Sequence, residues 1–213
     1  MSEDIKRDYN NNNDFVELFE QKLCEYTGAP YAVAVDRCTN AILLALEYYG
    51  KRRQRMTVPC HTYLSVPMTL INYGYNVWLR FEEWQGNYRL GNTNVYDYAV
   101  QFQKNMYVPG QVQCVSFQQK KRLAIGKGGA ILLDDKEMYE KLKRMRHDGR
   151  DSSKPVMNEN PEDIIMGYHM YMSPDEAARG LLLLNQLTNQ YTPGGFKDYP
   201  NLSQIPCFKD YYV

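Results

Sequence analysis

The sequence predicts an α/β fold in which a mostly parallel, mixed sheet is flanked by helices. Short segments rich in β-branched and aromatic residues alternate along the chain with segments whose apolar residues recur at helical spacing. Polar turns directly follow several of the predicted strands, at the edge where sheets of this kind bind ligands. With 213 residues, of which 44% are hydrophobic, the chain can bury the core that such a domain needs.

The individual strands and helices follow from their local patterns. The predicted strands are residues 31–35, 56–58, 76–81, 95–97, 112–117 and 128–133, and the predicted helices are 14–27, 41–46, 63–73, 138–149 and 173–187. Asn13 or Asp14 is placed to cap the first helix, Thr62 the third and Ser173 the last. Pro174 supports the predicted start of the last helix, because proline is favoured at the first helical position. The second helix is apolar on all sides, so we expect it to be buried nearly all round.

The chain divides into three segments. Residues 1–13 are polar and include four consecutive asparagines, so we expect a flexible N-terminal arm. Residues 14–187 have the alternating pattern and form the α/β domain. Residues 188–213 contain four tyrosines and three prolines but show no period, so an irregular tail is predicted.

Composition argues against several classes of protein. The formal net charge is zero, so no global basic field attracts nucleic acid or an acidic membrane. No apolar run is long enough to cross a bilayer, and from the sequence we expect no secretory leader. Five irregularly spaced cysteines then favour a reducing, cytoplasmic environment over a disulfide framework. The three histidines are scattered and no CxxC pair exists, so no metal site is expected.

The segment 112–133 contains the most distinctive chemistry. A short buried strand ends at Ser116–Phe117, a polar loop with Lys120 and Lys121 follows, and Gly128–Gly129 opens a second apolar run. A lysine held between two strands, close to a serine and a glycine turn, suits an amine that must attack a carbonyl. This is the Schiff-base chemistry of pyridoxal 5'-phosphate (PLP). Taken alone, the pattern is better explained as a solvated loop, unless other parts of the chain supply a phosphate site and a partner for the pyridine nitrogen.

Three other strand ends point to the same edge of the sheet. The turn at residues 36–40 joins a strand to a helix, where free N–H groups and the helix dipole favour an anion; the alternative is that Thr39 is only a helix cap. Thr62 and Tyr63 follow the next strand. Asp97 ends a short, mainly apolar strand, where a buried carboxylate needs a partner; the alternative is a surface or capping aspartate.

These residues, in this order, resemble the DegT/StrS group of PLP-dependent sugar aminotransferases, which have fold type I. The similar segments are residues 19–28, 34–41, 59–63, 96–99, 116–121 and 167–172, so the resemblance runs from about residue 15 to residue 187. The sequence departs from the family pattern at Arg37, Cys38, Val100, His169 and Tyr171. It also omits the family's extra strand between residues 78 and 95 and most of the small C-terminal domain. The resemblance therefore implies a reduced fold type I large domain.

The resemblance also implies roles for single residues. Lys121, and not Lys120, would form the Schiff base with PLP, Asp97 would face the pyridine nitrogen, and the ring of Tyr63 would stack on the cofactor. The remaining cofactor-binding positions are Cys38, Thr39 and Ser116 for the phosphate, Ala99 in the motif of Asp97, and His169, which would reach the site of a partner chain.

The implied function is transfer of an amino group from an amino-acid donor to a keto-sugar, nucleotide-linked, by a homodimer with shared sites. Within the family a histidine in place of this lysine marks dehydratases, so Lys121 favours amino transfer. The alternative is a protein that binds PLP but is catalytically weak and serves as an interaction or regulatory module. The substitutions and the omitted segments motivate that alternative.

Overall fold

The computed structural model describes residues 3–50, 52–188 and 191–212, with the backbone alone for residues 3–14. In this part of the chain the α-helices are α1 (Glu3–Thr27), α2 (Cys38–Tyr49), α3 (Ser65–Asn72), α4 (Lys136–Met145) and α5 (Pro174–Leu184). The strands are β1 (Tyr31–Val35), β2 (Arg55–Pro59), β3 (Asn76–Arg80), β4 (Tyr88–Arg89), β5 (Val95–Asp97), β6 (Val112–Ser116) and β7 (Gly129–Leu133).

The larger sheet has the order β1-β7-β6-β5-β4, and β2 and β3 form a separate parallel pair. Because β1 and β6 are both antiparallel to β7, and β5 is parallel to β6, the strands β1, β5 and β6 run in one direction. Their carboxyl ends therefore meet at one edge. Val35 and Ser116 both pair with Gly129 there, and Asp97 pairs with Cys114.

The α/β class is confirmed, but the sheet is less parallel than expected. In the described strands only β5/β6 and β2/β3 pair in parallel. Strand β7 is antiparallel to both of its neighbours, β1 and β6, and β4 is antiparallel to β5. The reason is the connections. Parallel neighbours need a long crossover, usually a helix. The loop 117–128 and the short turn 90–94 contain no helix, so each returns the chain beside the strand it left.

Both faces of the larger sheet are buried, in two apolar clusters. Along β1, Val33 and Val35 pack into the cluster that contains α2, while Ala32 and Ala34 pack into the cluster that contains α1 and α5. This alternation is the period of two that a strand between two helical layers requires. The expected burial of α2 is confirmed from Ala41 to Leu46.

Two of the predicted helix starts are wrong and one is confirmed. The backbone is already helical from Glu3, so the start predicted at residue 13 or 14 is wrong; Met1 and Ser2 lie outside the described residues. Thr62 does not cap α3, whose N-cap is Leu64, because the Thr62 hydroxyl is bonded to Tyr88. Ser173 does cap α5, in a capping box with Pro174 in its first turn.

The tail packs back onto the domain through short 3₁₀ turns. In its described residues these turns are Phe196–Asp198, Leu202–Gln204 and Pro206–Tyr211. Leu202 and Phe208 are fully buried in the same cluster as α2. The tail is therefore held by apolar burial, although its sequence has no period. Residues 189, 190 and 213 of the predicted tail lie outside the described residues.

Candidate functional site

Asp97 is the buried charged group at the common strand edge. Its Oδ1 accepts a hydrogen bond from the backbone N–H of Ala99 at 2.8 Å, and its Oδ2 accepts one from the hydroxyl of Tyr88 at 2.6 Å. Burial raises the pKa of Asp97, and the hydrogen bonds from Tyr88 and Ala99 and the charge of Lys121 oppose that rise. Asp97 is therefore a desolvated carboxyl group with a lysine ammonium nearby.

Lys121 lies in the loop after β6 and reaches back to this edge. Its Nζ donates to the hydroxyl of Tyr199 at 3.4 Å, and its positive charge acts on both Asp97 and Cys38. Lys120, by contrast, is exposed. The fold thus selects one of the two adjacent lysines for the neighbourhood of Asp97.

The amino end of α2 meets the start of β7 at the same edge. A Cβ added to Gly129 would lie 2.5 Å from the backbone nitrogen of Cys38, so only glycine permits this approach. Arg37 is the N-cap of α2 and makes no side-chain capping hydrogen bond. The first turn of the helix therefore has no side-chain cap, and helix N–H groups and the helix dipole favour an anion at such an end.

The predicted phosphate ligands surround this turn. Cys38 is buried, donates from Sγ to the carbonyl of Cys114 at 3.5 Å, and has a pKa raised by burial and by the Asp97 charge, so it stays a neutral thiol. Thr39 is not the helix cap; its hydroxyl is 2.7 Å from that of Ser65. Ser116 ends β6 beside Gly129. Their contact with phosphate stays a prediction.

Two predicted residues are exposed to solvent within this chain. Tyr63 is 61% exposed, so its own chain does not cover the ring. His169 is exposed, and its Nδ1 lies 3.1 Å from both carboxylate oxygens of Asp148. Stacking by Tyr63 and contact of His169 with a partner's site stay predictions.

Side chains in the run from His169 to Met172 alternate between the surface and the core. The run is extended, and Met170 and Met172 turn inward and are buried in the protein's own core. His169 and Tyr171 turn outward. Tyr171 stacks on the ring of His147 with centroids 4.6 Å apart. Only the outward face can serve an interface.

Two residues that sequence reasoning missed complete the site. Tyr88 stands in β4 directly opposite Asp97, and its hydroxyl is 2.5 Å from that of Thr62. The turn residues Gly91 and Asn92 between two β-prone runs were a hairpin signal for this pairing. Tyr199 comes from the tail, where no local pattern predicts its position.

The residues present fit PLP. Each oxygen of Asp97 accepts one hydrogen bond from Tyr88 or Ala99 and has a second lone pair for a cationic ring nitrogen. Lys121 supplies an amine on the same edge. The amino end of α2 at Cys38, against which Gly129 packs, lies at the same edge, and a helix amino end favours a phosphate. Among the described residues, no three His, Cys, Asp or Glu side chains are grouped as a metal ion would require.

Comparison with known proteins also indicates an aminotransferase. The model of the DegT/DnrJ/EryC1/StrS aminotransferase family matches residues 3–80 and 102–192. No curated protein matches the sequence. No helix in the described ranges has the length and apolarity needed to cross a membrane.

Several solved structures are similar at low sequence identity. DesV from S. venezuelae is 18% identical with a TM-score of 0.65, over 81% of this chain and 56% of that one. PseC of Helicobacter pylori, an aminotransferase involved in the biosynthesis of pseudoaminic acid, is 18% identical with a TM-score of 0.62, over 81% and 57%. GDP-4-keto-6-deoxymannose-3-dehydratase (ColD) is 16% identical with a TM-score of 0.63, over 83% and 61%.

These similarities confirm the fold type I expectation for the domain. The chain nevertheless spans only 56–61% of the length of these three structures.

Proposed function

The chain belongs to the DegT/DnrJ/EryC1/StrS aminotransferase family, and we propose that it transfers an amino group from an amino-acid donor to a keto-sugar, nucleotide-linked, with PLP as cofactor. The observation that supports this most is that Lys121, whose Nζ donates to the hydroxyl of Tyr199, acts by its charge on the buried carboxyl of Asp97. A lysine on a fully solvated loop would not act on a buried carboxyl group. When bound, PLP supplies an aldehyde carbon that bonds amines reversibly and a protonated ring that accepts an electron pair.

Asp97 would hold the ring nitrogen protonated. In the protein alone, burial raises the pKa of this carboxyl. A cationic ring nitrogen against Oδ1 or Oδ2 would favour the carboxylate again, because an opposite charge in a dry site offsets desolvation. The hydroxyl of Tyr88 and the N–H of Ala99 keep the carboxyl in one orientation for this contact.

Lys121 would have two tasks at one atom. Its Nζ is the amine that would hold the cofactor, with loss of the aldehyde oxygen as water, until an amino donor takes its place. The freed Nζ would then move a proton between the substrate carbon and the cofactor carbon. The first turn of α2, with Cys38 and Thr39, and Ser116 at the end of β6 would bind the phosphate and fix the cofactor relative to both carboxyl and amine.

We also propose a homodimer in which each site is completed by the partner chain. Tyr63, Leu64 and Met68 expose apolar surface near the site, and Met166 is 91% exposed beside the segment that contains His169. Exposed apolar groups of this size are typical of interfaces. His169 points outward and has ring nitrogens suited to a phosphate oxygen. A cytoplasmic location agrees with five free cysteines.

A second candidate function is PLP binding without efficient turnover, in an interaction or regulatory protein. Its support is Tyr171, which stands where the family motif has arginine and stacks on His147. This position therefore supplies no positive charge for an anionic substrate.

A single-turnover experiment tests the proposal. The full chain is loaded with PLP, freed of excess cofactor and mixed with glutamate, and the absorption spectrum is followed. An aminotransferase converts the bound cofactor to its amine form, so the visible band disappears and a near-ultraviolet band replaces it. A stable visible band with bound PLP contradicts amino transfer and favours the second candidate. Absence of bound PLP contradicts both.

A further inference from the structure

The tail contacts the loops that build the candidate site. The N–H of Gly86 donates to the carbonyl of Gly194 at 2.8 Å, and the N–H of Phe196 donates to the carbonyl of Trp84 at 3.1 Å. Farther along, the N–H of Leu202 donates to the carbonyl of Cys60 at 2.8 Å, next to the loop that contains Thr62 and Tyr63. The tail therefore ties the loop before β4 to the loop after β2.

Tyr199 is fixed between these two attachments. Its carbonyl lies 3.0 Å from Nδ1 of His61, and its ring lies 5.8 Å from the ring of Trp84, centroid to centroid. The turns on either side bury Leu202 and Phe208 completely. Backbone and ring are thus both held, so the direction of the phenol is set by the fold.

The phenol points at the reactive lysine. Its oxygen accepts a hydrogen bond from Nζ of Lys121 at 3.4 Å and lies within the electrostatic influence of Asp97 and Cys38. Burial and the charge of Asp97 raise the pKa of Tyr199, so the phenol stays neutral and remains an acceptor for an ammonium group. Lys121 otherwise sits on a turn with a long, flexible side chain beside exposed Lys120.

We propose that Tyr199 is a positioning residue of this site, whose phenol holds Nζ of Lys121 at the sheet edge that contains Asp97, and that the tail 191–212 is the wall from which it acts. This inference rests on the proposed function. It gives the tail a role that neither its sequence nor the family match assigns, since the match ends at residue 192. A tail that served only to complete the apolar core would not require a hydroxyl group in contact with Nζ of Lys121.

The test measures two chemical labels of lysine on the full chain. The variant is Tyr199→Phe, and the control is Tyr212→Phe, whose phenol is on the exposed end of the tail. In cofactor-free protein, acetylation by an N-hydroxysuccinimide ester is measured at Lys121 relative to Lys120. In PLP-treated protein, borohydride-fixed cofactor is measured at the same two lysines by peptide mass mapping. Thermal unfolding of both variants checks that each is folded.

We expect Tyr199→Phe to raise the acetylation ratio and to lower the PLP ratio, each about 3- to 10-fold, the effect of one lost hydrogen bond. Tyr212→Phe should change neither ratio. A merely loosened tail would raise both ratios together, and such a result, or two unchanged ratios, would overturn the proposal. Wild-type protein with no PLP on Lys121 would instead refute the proposed function, while the acetylation ratio would still decide whether Tyr199 restrains Lys121.

Discussion

The hydroxyl of Tyr88 donates a 2.6 Å hydrogen bond to Oδ2 of Asp97, and the two residues are paired across β4 and β5. Strand pairing therefore fixes both ends of this contact. Thr62 extends it, since its hydroxyl is 2.5 Å from that of Tyr88. A chain of two hydroxyl groups, one on a loop and one on a strand, thus sets the orientation of the carboxyl that the proposed function requires.

Asp97→Asn should leave the fold intact and weaken PLP binding about 10- to 100-fold, the effect of losing a hydrogen bond between charged groups. Asparagine can still accept from the N–H of Ala99 through its amide oxygen, which preserves the local structure. Spectroscopic titration with PLP measures the affinity. The exposed Asp163→Asn is the matched control. Wild-type affinity in Asp97→Asn would remove Asp97 from the site.

Gly129→Ala should disturb the first turn of α2 and abolish PLP binding. Its Cβ would lie 2.5 Å from the nitrogen of Cys38, and backbone on both sides leaves little room to yield. Gly110→Ala is the comparison, because that position has a left-handed φ of 79° but no atom within 4 Å, so its cost is about 1–2 kcal/mol. Urea unfolding should show a larger loss of stability for Gly129→Ala. An equal loss of stability in both variants would contradict the close approach of Gly129 to Cys38.

His147 should make stability depend on pH. Burial first, and then the charge of Arg150, lower the pKa of His147 below its usual 6.5. The unfolded chain therefore takes up a proton before the folded one does. The stabilising contribution is complete above about pH 6.5 and is lost as the pH falls through the lower folded pKa.

The variant His147→Phe keeps a ring to stack on Tyr171 but cannot titrate. Urea unfolding of wild type and variant between about pH 5 and 8 should give curves that separate below about pH 6.5, by no more than the 1.4 kcal/mol per pH unit of one proton. Asp148 and Arg146 also act on His147, but both are present in both proteins. If the stability of the two proteins changes with pH in parallel, the pH dependence does not come from His147.

His169→Ala should weaken PLP binding while the protein remains a homodimer, if His169 reaches the partner's phosphate. Asp148→Asn separates this effect from loss of the local pair. It removes the charge that faces His169 but keeps the imidazole, and asparagine tolerates the left-handed φ of 58° at this position. Sedimentation at micromolar concentration gives the oligomeric state. A monomer that still holds PLP would contradict the shared site.

Sequence patterns predicted what depends on neighbours along the chain. The strand that delivers Asp97, the glycine turn at Gly129 and the cap at Ser173 were all read from local spacing. Thr62 was misread as a cap, because its hydroxyl can serve a helix end or Tyr88 and only the fold decides between them.

Contacts between distant segments could not be predicted in this way. Tyr199 and Lys121 are 78 residues apart, and nothing in the tail has the period of a helix or strand. Their contact depends on where Leu202 and Phe208 are buried. The antiparallel place of β7 likewise depends on a loop without a helix, which the sequence allows but does not require.

The most direct measurement of the central claim is borohydride reduction of the PLP-treated wild-type protein, followed by peptide mass mapping and by spectra of Lys121→Ala and Lys120→Ala. The account predicts that the reduced cofactor is attached to Lys121, that Lys121→Ala loses the visible band and that Lys120→Ala retains it. Cofactor attached to Lys120, with a visible band that survives Lys121→Ala and disappears in Lys120→Ala, would contradict it.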